Sequence, residues 1–218
     1  MNTKNFLIVL TGLLTTSLFF QSCVIEDTDD PVTPANGFTD SRDGQTYATV
    51  QIGNQTWFAE NLNYHTGFSR WYDNHSDNGD VYGRLYTWDA AMTACPDGWH
   101  LPTDEEWKTL EMNLGMDESV ANGKGYRGTD EGNKMKSTSG WNSNGNGTNS
   151  SGFNALPGGY DNFGDVFFNL GNTGNWWTGS EHLDSRAWIR MLYYDGNKVF
   201  RDNYDKSTSG FSVRCLKD

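Results

Sequence analysis

The sequence predicts an α+β fold with two helices and an irregular, short-stranded antiparallel sheet. Helical periodicity occurs twice before residue 115, whereas the later part of the chain reads as short strands separated by turns. The composition agrees with this prediction, because 14% of the residues are aromatic and 25 are glycine. Such a composition suits a core of large rings joined by many tight turns.

A β-hairpin is predicted at the start of the folded part. Residues 45–52 alternate in the manner of a strand, and residues 55–58 read as the return strand. Gly53 and Asn54, which lie between them, are typical of a two-residue turn. Residues 63–83 are polar and turn-rich, so no regular element is predicted there.

Two helices are predicted next. The first covers residues 84–95, where one helical face carries the apolar side chains of Leu85, Trp88, Met92 and Cys95. The second covers residues 103–114, because Thr103 and Glu106 form a capping box and Gly115 stands where a helix ends.

No helical period recurs beyond Gly115. The glycine-spaced segment over residues 123–128 is interpreted as a loop, since it neither follows a clear strand nor opens a helix. Short strands are predicted over residues 153–160, 166–170, 175–178, 187–193, 198–202 and 211–216.

The amino-terminal segment predicts export. Lys4 precedes an apolar run over residues 6–20, and Ser22 stands directly before Cys23. This order is typical of a secretory signal, and its ending resembles the bacterial lipobox, whose cysteine carries acyl chains. We therefore predict a lipoprotein signal peptide over residues 1–22 and lipidation of Cys23. The alternative is an ordinary signal peptide with a chance cysteine.

Residues 23–37 are predicted to form an acidic, flexible tether. Four acidic residues and two prolines, with few apolar side chains, cannot bury enough surface to fold. The acidic cluster resembles the surface-export signal of Bacteroidota lipoproteins, and the alternative is a generic solvated linker. We predict an outer-membrane lipoprotein exposed on the cell surface, with residues 38–218 as its single domain.

The net negative charge of the chain excludes one class of partner. The formal net charge is −12, and removal of residues 1–22, in which Lys4 is the only charged residue, makes it −13. Binding to nucleic acid depends on neutralising phosphates with basic residues, so nucleic acid is excluded as a partner. Membrane contact is predicted through the lipid anchor only.

The cysteines predict one disulfide. The sequence has three cysteines, and lipidation of Cys23 leaves Cys95 and Cys215. In an oxidising compartment, two cysteines in one domain most simply pair. The alternative is two buried free thiols.

Six segments of the sequence carry a family resemblance: NQTWFAENL (54–62), YGRLYTW (82–88), CPDGWHLPT (95–103), LPGGY (156–160), WWTGSE (176–181) and GFSVRC (210–215). Together they resemble the Fibrobacter succinogenes major paralogous domain family, over about residues 38–218. Many members of that family carry further cysteines around residues 72–83, and this sequence has none there.

That family in turn resembles the formylglycine-generating-enzyme group within the C-type lectin-like fold. The segment HLPTDEEW (100–107) is similar to the helix-opening motif of that group, and residues 210–215 are similar to its last strand. In C-type lectins a cysteine ending the first helix is bridged to one on the last strand. The resemblance thus implies a C-type lectin-like domain in which Cys95 pairs with Cys215.

No catalytic residue, metal site or cofactor is predicted. Formylglycine-generating enzymes need a redox-active cysteine pair that holds copper, and pairing of Cys95 with Cys215 leaves none. His100 is interpreted as a half-buried, hydrogen-bonded residue. Residues 73–80 gather oxygen ligands suited to calcium, but their spacing departs from the EF-hand pattern, so a solvated acidic loop is the preferred interpretation.

The leading prediction of function is a non-catalytic recognition or adhesion module for an extracellular glycan or protein. Aromatic side chains alternate with polar ones towards the carboxyl end, a pattern that suits recognition. Alternatives are an enzyme or enzyme accessory of the formylglycine-generating-like superfold and a structural envelope protein. In C-type lectin-like domains this stretch forms ligand-binding surfaces, although half of the rings could instead fill the core. The predicted ligand-binding residues are Arg186, Trp188, Arg190, Tyr194, Asp195, Asn197, Arg201, Asn203 and Tyr204.

Overall fold

The structure is a computed structural model that describes residues 37–218. The predicted signal peptide, Cys23 and the tether up to residue 36 lie outside the described residues, so the lipidation and export of the chain stay predictions. Within residues 37–218, no helix has the length and apolar character needed to cross a membrane.

The described part is a mixed α+β fold with five α-helices and thirteen strands. The helices are α1 (Ser76–Tyr82), α2 (Trp88–Ala91), α3 (Asp104–Asn113), α4 (Glu118–Ala121) and α5 (Glu131–Met135). The strands are β1 (Gly37–Thr39), β2 (Thr46–Ile52), β3 (Gln55–Phe58), β4 (Ser69–Arg70), β5 (Leu85–Tyr86), β6 (Trp99–His100), β7 (Gly125–Arg127), β8 (Tyr160–Asp161), β9 (Phe167–Phe168), β10 (Thr173–Leu183), β11 (Arg186–Tyr193), β12 (Val199–Asp205) and β13 (Leu216–Lys217).

These strands form several antiparallel sheets rather than the one sheet that was predicted. A five-stranded sheet has the order β1-β2-β3-β13-β6, and a four-stranded sheet has the order β10-β11-β12-β7. Two further pairs, β4 with β5 and β8 with β9, form small two-stranded sheets. Strand β13, near the carboxyl end, pairs with β3, so it lies beside the predicted hairpin from the start of the folded part.

Two apolar clusters lie on opposite faces of the four-stranded sheet. The first includes Trp177 and Ile189, together with Phe58 from the hairpin. The second includes Trp176 and Leu192, against which Trp107 of α3 packs. Successive residues of a strand point to opposite faces, so Trp176 and Trp177 supply one ring to each cluster. The predicted core of large rings is confirmed.

The local predictions with specific end signals are confirmed. The hairpin consists of β2 and β3, with Gly53 in its turn at a φ of +60°. Helix α3 begins after Thr103, whose side chain and that of Glu106 make the predicted capping box, and Gly115 follows its end at a φ of +112°. The Cys95–Cys215 disulfide is present and joins the end of the α2 region to the segment before β13.

The prediction of a helix over residues 84–95 is wrong for most of its length. Leu85 lies in β5, which pairs with β4, and the helix begins only at Trp88, after the N-cap residue Thr87. The side chain of Met92 is 44% exposed, so the apolar spacing did not mark one buried face. Pairing with β4, which is distant from the helix in sequence, overrides the local helical pattern.

Among the short elements that were not predicted, four lie where turns, a loop or no helix were expected. Helix α1 lies in the segment that was interpreted as turns, and α4 and α5 lie beyond Gly115, where no helix was expected. Strand β7 lies in the segment that was interpreted as a loop, and it pairs with β12. Each has between three and seven residues, too few for a period to show in the sequence.

Candidate functional site

The strands of the predicted ligand-binding region present two different faces. In the pairing of β11 with β12, Trp188 lies opposite Asn203 and Arg190 lies opposite Arg201. These four side chains share the face that α3 covers. Ala187 lies opposite Tyr204 on the other face. The predicted residues therefore do not form one surface.

On the α3 side, Arg190 and Arg201 are buried. Arg190 donates to Asp104 Oδ1 at 2.8 Å and to Glu111 Oε1 at 2.5 Å, and Arg201 donates to both oxygens of Asp104. Arg127 of β7 completes the network with two hydrogen bonds to Glu111. This buried ion network ties α3 to three strands of the four-stranded sheet.

The electrostatics of the network follow from its geometry. Burial raises the pKa of Asp104, but hydrogen bonds and charges from Arg201 and Arg190 outweigh it and leave the pKa well below its ordinary value. Burial lowers the pKa of Arg127, and the carboxylate of Glu111 only partly opposes the shift. Asp104 is thus a permanently charged anchor for the two arginines.

The prediction that Arg190, Arg201 and Asn203 belong to an exposed face is therefore corrected. Their exposed fractions are 0%, 5% and 6%, and their polar groups bind other parts of this chain. The physical reason is that α3, which carries Asp104 and Glu111, packs over this side of the sheet. The alternation of aromatic and polar residues in the sequence did not show that α3 covers one face of these strands.

Arg186 and Trp188 lie at the edge of this covered side. Arg186 is exposed and donates to Asn203 Oδ1 at 2.9 Å. Trp188 is half-buried, with the guanidinium of Arg201 3.6 Å from its ring centre and the ring of His182 at 4.4 Å. Arg201 and His182 therefore already contact the Trp188 ring, so part of its surface is not open to a ligand.

The predicted residues Tyr194, Asp195 and Asn197 lie in the turn between β11 and β12. Asp195 and Asn197 are exposed, whereas Tyr194 is half-buried and packs against the second apolar cluster. Lys136, which is 2% exposed, donates to the Tyr194 carbonyl and so stabilises the turn through a buried hydrogen bond.

The side of the sheet opposite α3 carries a group of partly exposed rings beside the first apolar cluster. Tyr126 of β7 lies 4.9 Å from Phe200 and 5.8 Å from Tyr193, measured between ring centres. Beside them, Tyr204 contacts the buried ring of Phe211 at 5.4 Å. The β8–β9 pair extends the group. We call this surface the aromatic face: Tyr126, Tyr160, Phe168, Tyr193, Phe200 and Tyr204.

Three tyrosines of the aromatic face, Tyr126, Tyr160 and Tyr204, keep their protons at neutral pH. Burial raises the pKa of Tyr126, and the neighbouring Tyr193 hydroxyl raises it further. Burial also raises the pKa of Tyr160 and of Tyr204, again with a contribution from Tyr193. The face therefore offers hydroxyl groups that donate as well as accept, with Tyr126 the most exposed ring at 55%.

Of this face, the predicted binding residues include Tyr204 alone. Phe200 could have been found from the sequence, because it lies four residues before Tyr204 in one strand and so points to the same side. Tyr126 could not have been found, since its position depends on pairing opposite Phe200, 74 residues later in the chain.

The interpretation of His100 is confirmed. Its side chain is half-buried, and its ring nitrogens contact Asp218 Oδ1 at 2.6 Å and Glu106 Oε1 at 3.1 Å. Burial lowers the pKa of His100, but the hydrogen bonds with Asp218 and Glu106 outweigh it, so the net shift is upward.

The segment over residues 73–80 is not a plain loop. It forms a 3-10 turn over Tyr72–Asn74 and most of α1, and its aspartates are exposed. Among the residues that the structure describes, no group of three or more His, Cys, Asp or Glu side chains is arranged to hold a metal ion.

The segments that carried the family resemblance meet in the interior. Asn61 Oδ1 accepts hydrogen bonds from Trp176 Nε1 at 2.9 Å and from Arg214 Nε at 2.8 Å. Arg214 is buried and also donates to three backbone carbonyls. Three of the segments are thus joined by one buried polar cluster, so their residues specify the fold rather than a surface site.

These features define a class of protein: a disulfide-linked α+β domain. The segments that carried the family resemblance form part of its interior. Residues 50–217 match the model of the Fibrobacter succinogenes major domain, and the chain belongs to this family. No curated protein matches the chain.

Proposed function

We propose that this protein is a non-catalytic recognition or adhesion module that binds an extracellular glycan or protein through the aromatic face. In this proposal the lipid on Cys23 anchors it to the outer membrane, with the domain exposed on the cell surface. The observation that carries the proposal is the aromatic face itself, where partly exposed rings stand beside one another on a well-packed sheet.

Rigidity of the rings in the aromatic face favours binding. Phe200, Tyr193 and Tyr160 pack with one side against the first apolar cluster, so their rings are held before any ligand arrives. Rigid aromatic residues lose little conformational entropy on binding and provide large contact areas, which is why Tyr is enriched in recognition surfaces. The protonated hydroxyls add directional hydrogen bonds.

We propose that the domain has the C-type lectin-like fold. Two observations support this proposal. The disulfide joins the end of the α2 region to the segment before β13, and β13 pairs with the early strand β3. In C-type lectin-like domains the carboxyl-terminal stretch forms ligand-binding surfaces, and five residues of the aromatic face lie within residues 160–204.

The cysteine arrangement supports a binding role rather than the chemistry of formylglycine-generating enzymes. Those enzymes need a reactive cysteine pair, whereas Cys95 and Cys215 are joined to each other and Cys215 is fully buried. The sequence holds one further cysteine, Cys23, and we propose that it carries lipid.

An array of glycans and extracellular proteins tests the proposal. The full chain, kept in detergent, is applied with calcium chloride and, in parallel, with EDTA. We expect reproducible binding to one ligand class and equal binding under both conditions. Binding only with calcium would show that a metal participates. Binding only to other envelope proteins would favour the structural alternative.

A further inference from the structure

A polar cleft lies away from the aromatic face. It encloses about 310 Å³ between β2, the segment after β3 and helix α1. Its polar lining includes Tyr47, Glu60, Asn63 and Asp80, and Val81 and Leu156 provide apolar wall. Ligand-binding cavities begin at about 300 Å³, so the cleft suits a single small molecule or the terminal residue of a larger one.

Two side chains of the cleft keep hydrogen-bonding capacity that the fold does not use. The Tyr47 hydroxyl accepts the Asn63 backbone N–H at 3.1 Å, and among the described residues no acceptor takes its own proton. Tyr47 is only 1% exposed, and burial raises its pKa well above the ordinary value, so this proton stays in place. Since Tyr47 and Asn63 both line the cleft, this hydroxyl is a donor at the cleft wall.

Glu60 provides the complementary acceptor. Its Oε2 accepts the Ala48 backbone N–H at 3.1 Å, and a carboxylate has about four acceptor positions in all. This hydrogen bond fixes the side chain at the wall of the cleft. Asp80 adds a second carboxylate at the exposed rim.

The combination restricts the chemistry of a ligand. A cation or an ammonium group could satisfy Glu60 but has no lone pair to accept the Tyr47 proton. An anion could accept that proton but would be repelled by Glu60 and Asp80. A pair of neighbouring hydroxyl groups can do both, because each hydroxyl donates and accepts. The apolar C–H side of a sugar ring can lie against Val81 and Leu156.

We propose that this cleft binds one neutral sugar residue, with two adjacent hydroxyls placed between Tyr47 and Glu60. The site is separate from the aromatic face. It adds a second binding function that does not depend on the function proposed above.

Saturation-transfer NMR and calorimetry on the full chain in detergent test this proposal. The probes are methyl glycosides of glucose, galactose, mannose and N-acetylglucosamine, with calcium chloride and methylammonium chloride as the cationic alternatives. We expect at least one glycoside to bind, and we expect Glu60→Gln and Tyr47→Phe each to weaken its affinity by about tenfold or more.

Glu181→Gln serves as the matched control, because Glu181 is an exposed glutamate on β10 that pairs with Lys206 at 2.6 Å. Its glycoside affinity should equal that of the unaltered chain. Should Tyr47→Phe fail to fold, Glu60→Gln still decides, since the amide oxygen can accept the Ala48 N–H. Absence of glycoside binding, displacement of the glycoside by either cation, or affinities that neither variant changes would overturn the proposal.

Discussion

Arg190 shows most clearly how one residue can be assigned to the wrong place from sequence. It lies among aromatic and polar residues that suit a binding surface, yet it is fully buried between Asp104 and Glu111. Removing one partner of a buried ion pair leaves an uncompensated charge, which costs about 3–5 kcal/mol. An exposed arginine on the same strand lacks that penalty.

We therefore expect Arg190→Ala to lower the free energy of unfolding by about 3–5 kcal/mol. Arg186→Ala, the matched control at an exposed position of β11, should change it by less than about 0.5 kcal/mol. Urea denaturation of the two variants measures both values. Equal stability of the two variants would mean that the buried ion network does not stabilise the domain.

His100 gives a prediction about pH. Because its pKa is raised in the folded state, its contribution to stability is fully present below the unfolded pKa of about 6.5 and is lost as the pH rises through the folded value. The loss of melting temperature caused by His100→Gln should therefore be larger at pH 5.5 than at pH 9.

Thermal unfolding of the variant and of the unaltered chain at both pH values measures this difference. His65→Gln, at an exposed histidine, is the control and should show no such dependence. A loss that is the same at pH 5.5 and pH 9 would contradict the role given to the contacts with Asp218 and Glu106.

At the scale of elements, the disulfide is the main covalent constraint. Cys95 and Cys215 are 120 residues apart, so the bond restricts the unfolded chain over a long loop. Loss of a native disulfide from a small exported domain costs about 2–5 kcal/mol. We expect the double change Cys95→Ala and Cys215→Ala to lower the free energy of unfolding by that amount.

Reduction of the unaltered chain supplies the comparison. Urea denaturation with reductant should reproduce most of the loss, whereas reductant should have no effect on the double variant. If reduction left the unaltered chain equally stable, the bond would not be a source of stability.

Elements with local sequence signals were predicted, whereas elements that depend on distant partners were not. Helix α3 and the β2–β3 hairpin were predicted because capping and turn residues lie within a few positions of each other. Strands β5 and β7 were missed because their form depends on partners far along the chain. Propensity is a weak guide for elements of two to four residues, since tertiary contacts override it.

The candidate site also depends on tertiary contacts that local sequence signals do not show. The alternation of aromatic and polar residues along β11 and β12 suggested one binding face, but these residues lie on both faces of the sheet. Helix α3 packs over one face of these strands through tertiary contacts, and Arg190 and Arg201 are buried beneath it. The aromatic face gathers rings from three strands of the four-stranded sheet and from the β8–β9 pair, and no local pattern in the sequence joins Tyr126 to Tyr160.

At the scale of the whole molecule, the proposed arrangement places an exposed domain on a lipid anchor. We expect Cys23→Ala to lose lipid and to leave the membrane fraction, because the acyl chains would be the only attachment. Detergent phase separation and mass spectrometry measure this. Recovery of the variant wholly in the detergent phase would contradict the anchor.

The central claim is that the aromatic face binds the ligand. Its most direct test is the dissociation constant, measured by surface plasmon resonance, of the ligand that the array identifies. We compare the unaltered chain with Tyr126→Ala and Tyr204→Ala, two exposed positions of the face, and with Phe68→Ala, an exposed aromatic residue elsewhere that is 70% exposed.

Each tyrosine change should weaken binding by about tenfold or more, as expected at the centre of a recognition surface. Both should keep the melting temperature within a few degrees, and Phe68→Ala should change neither quantity. Unchanged binding by both tyrosine variants, or a loss of binding that only accompanies unfolding, would contradict the claim.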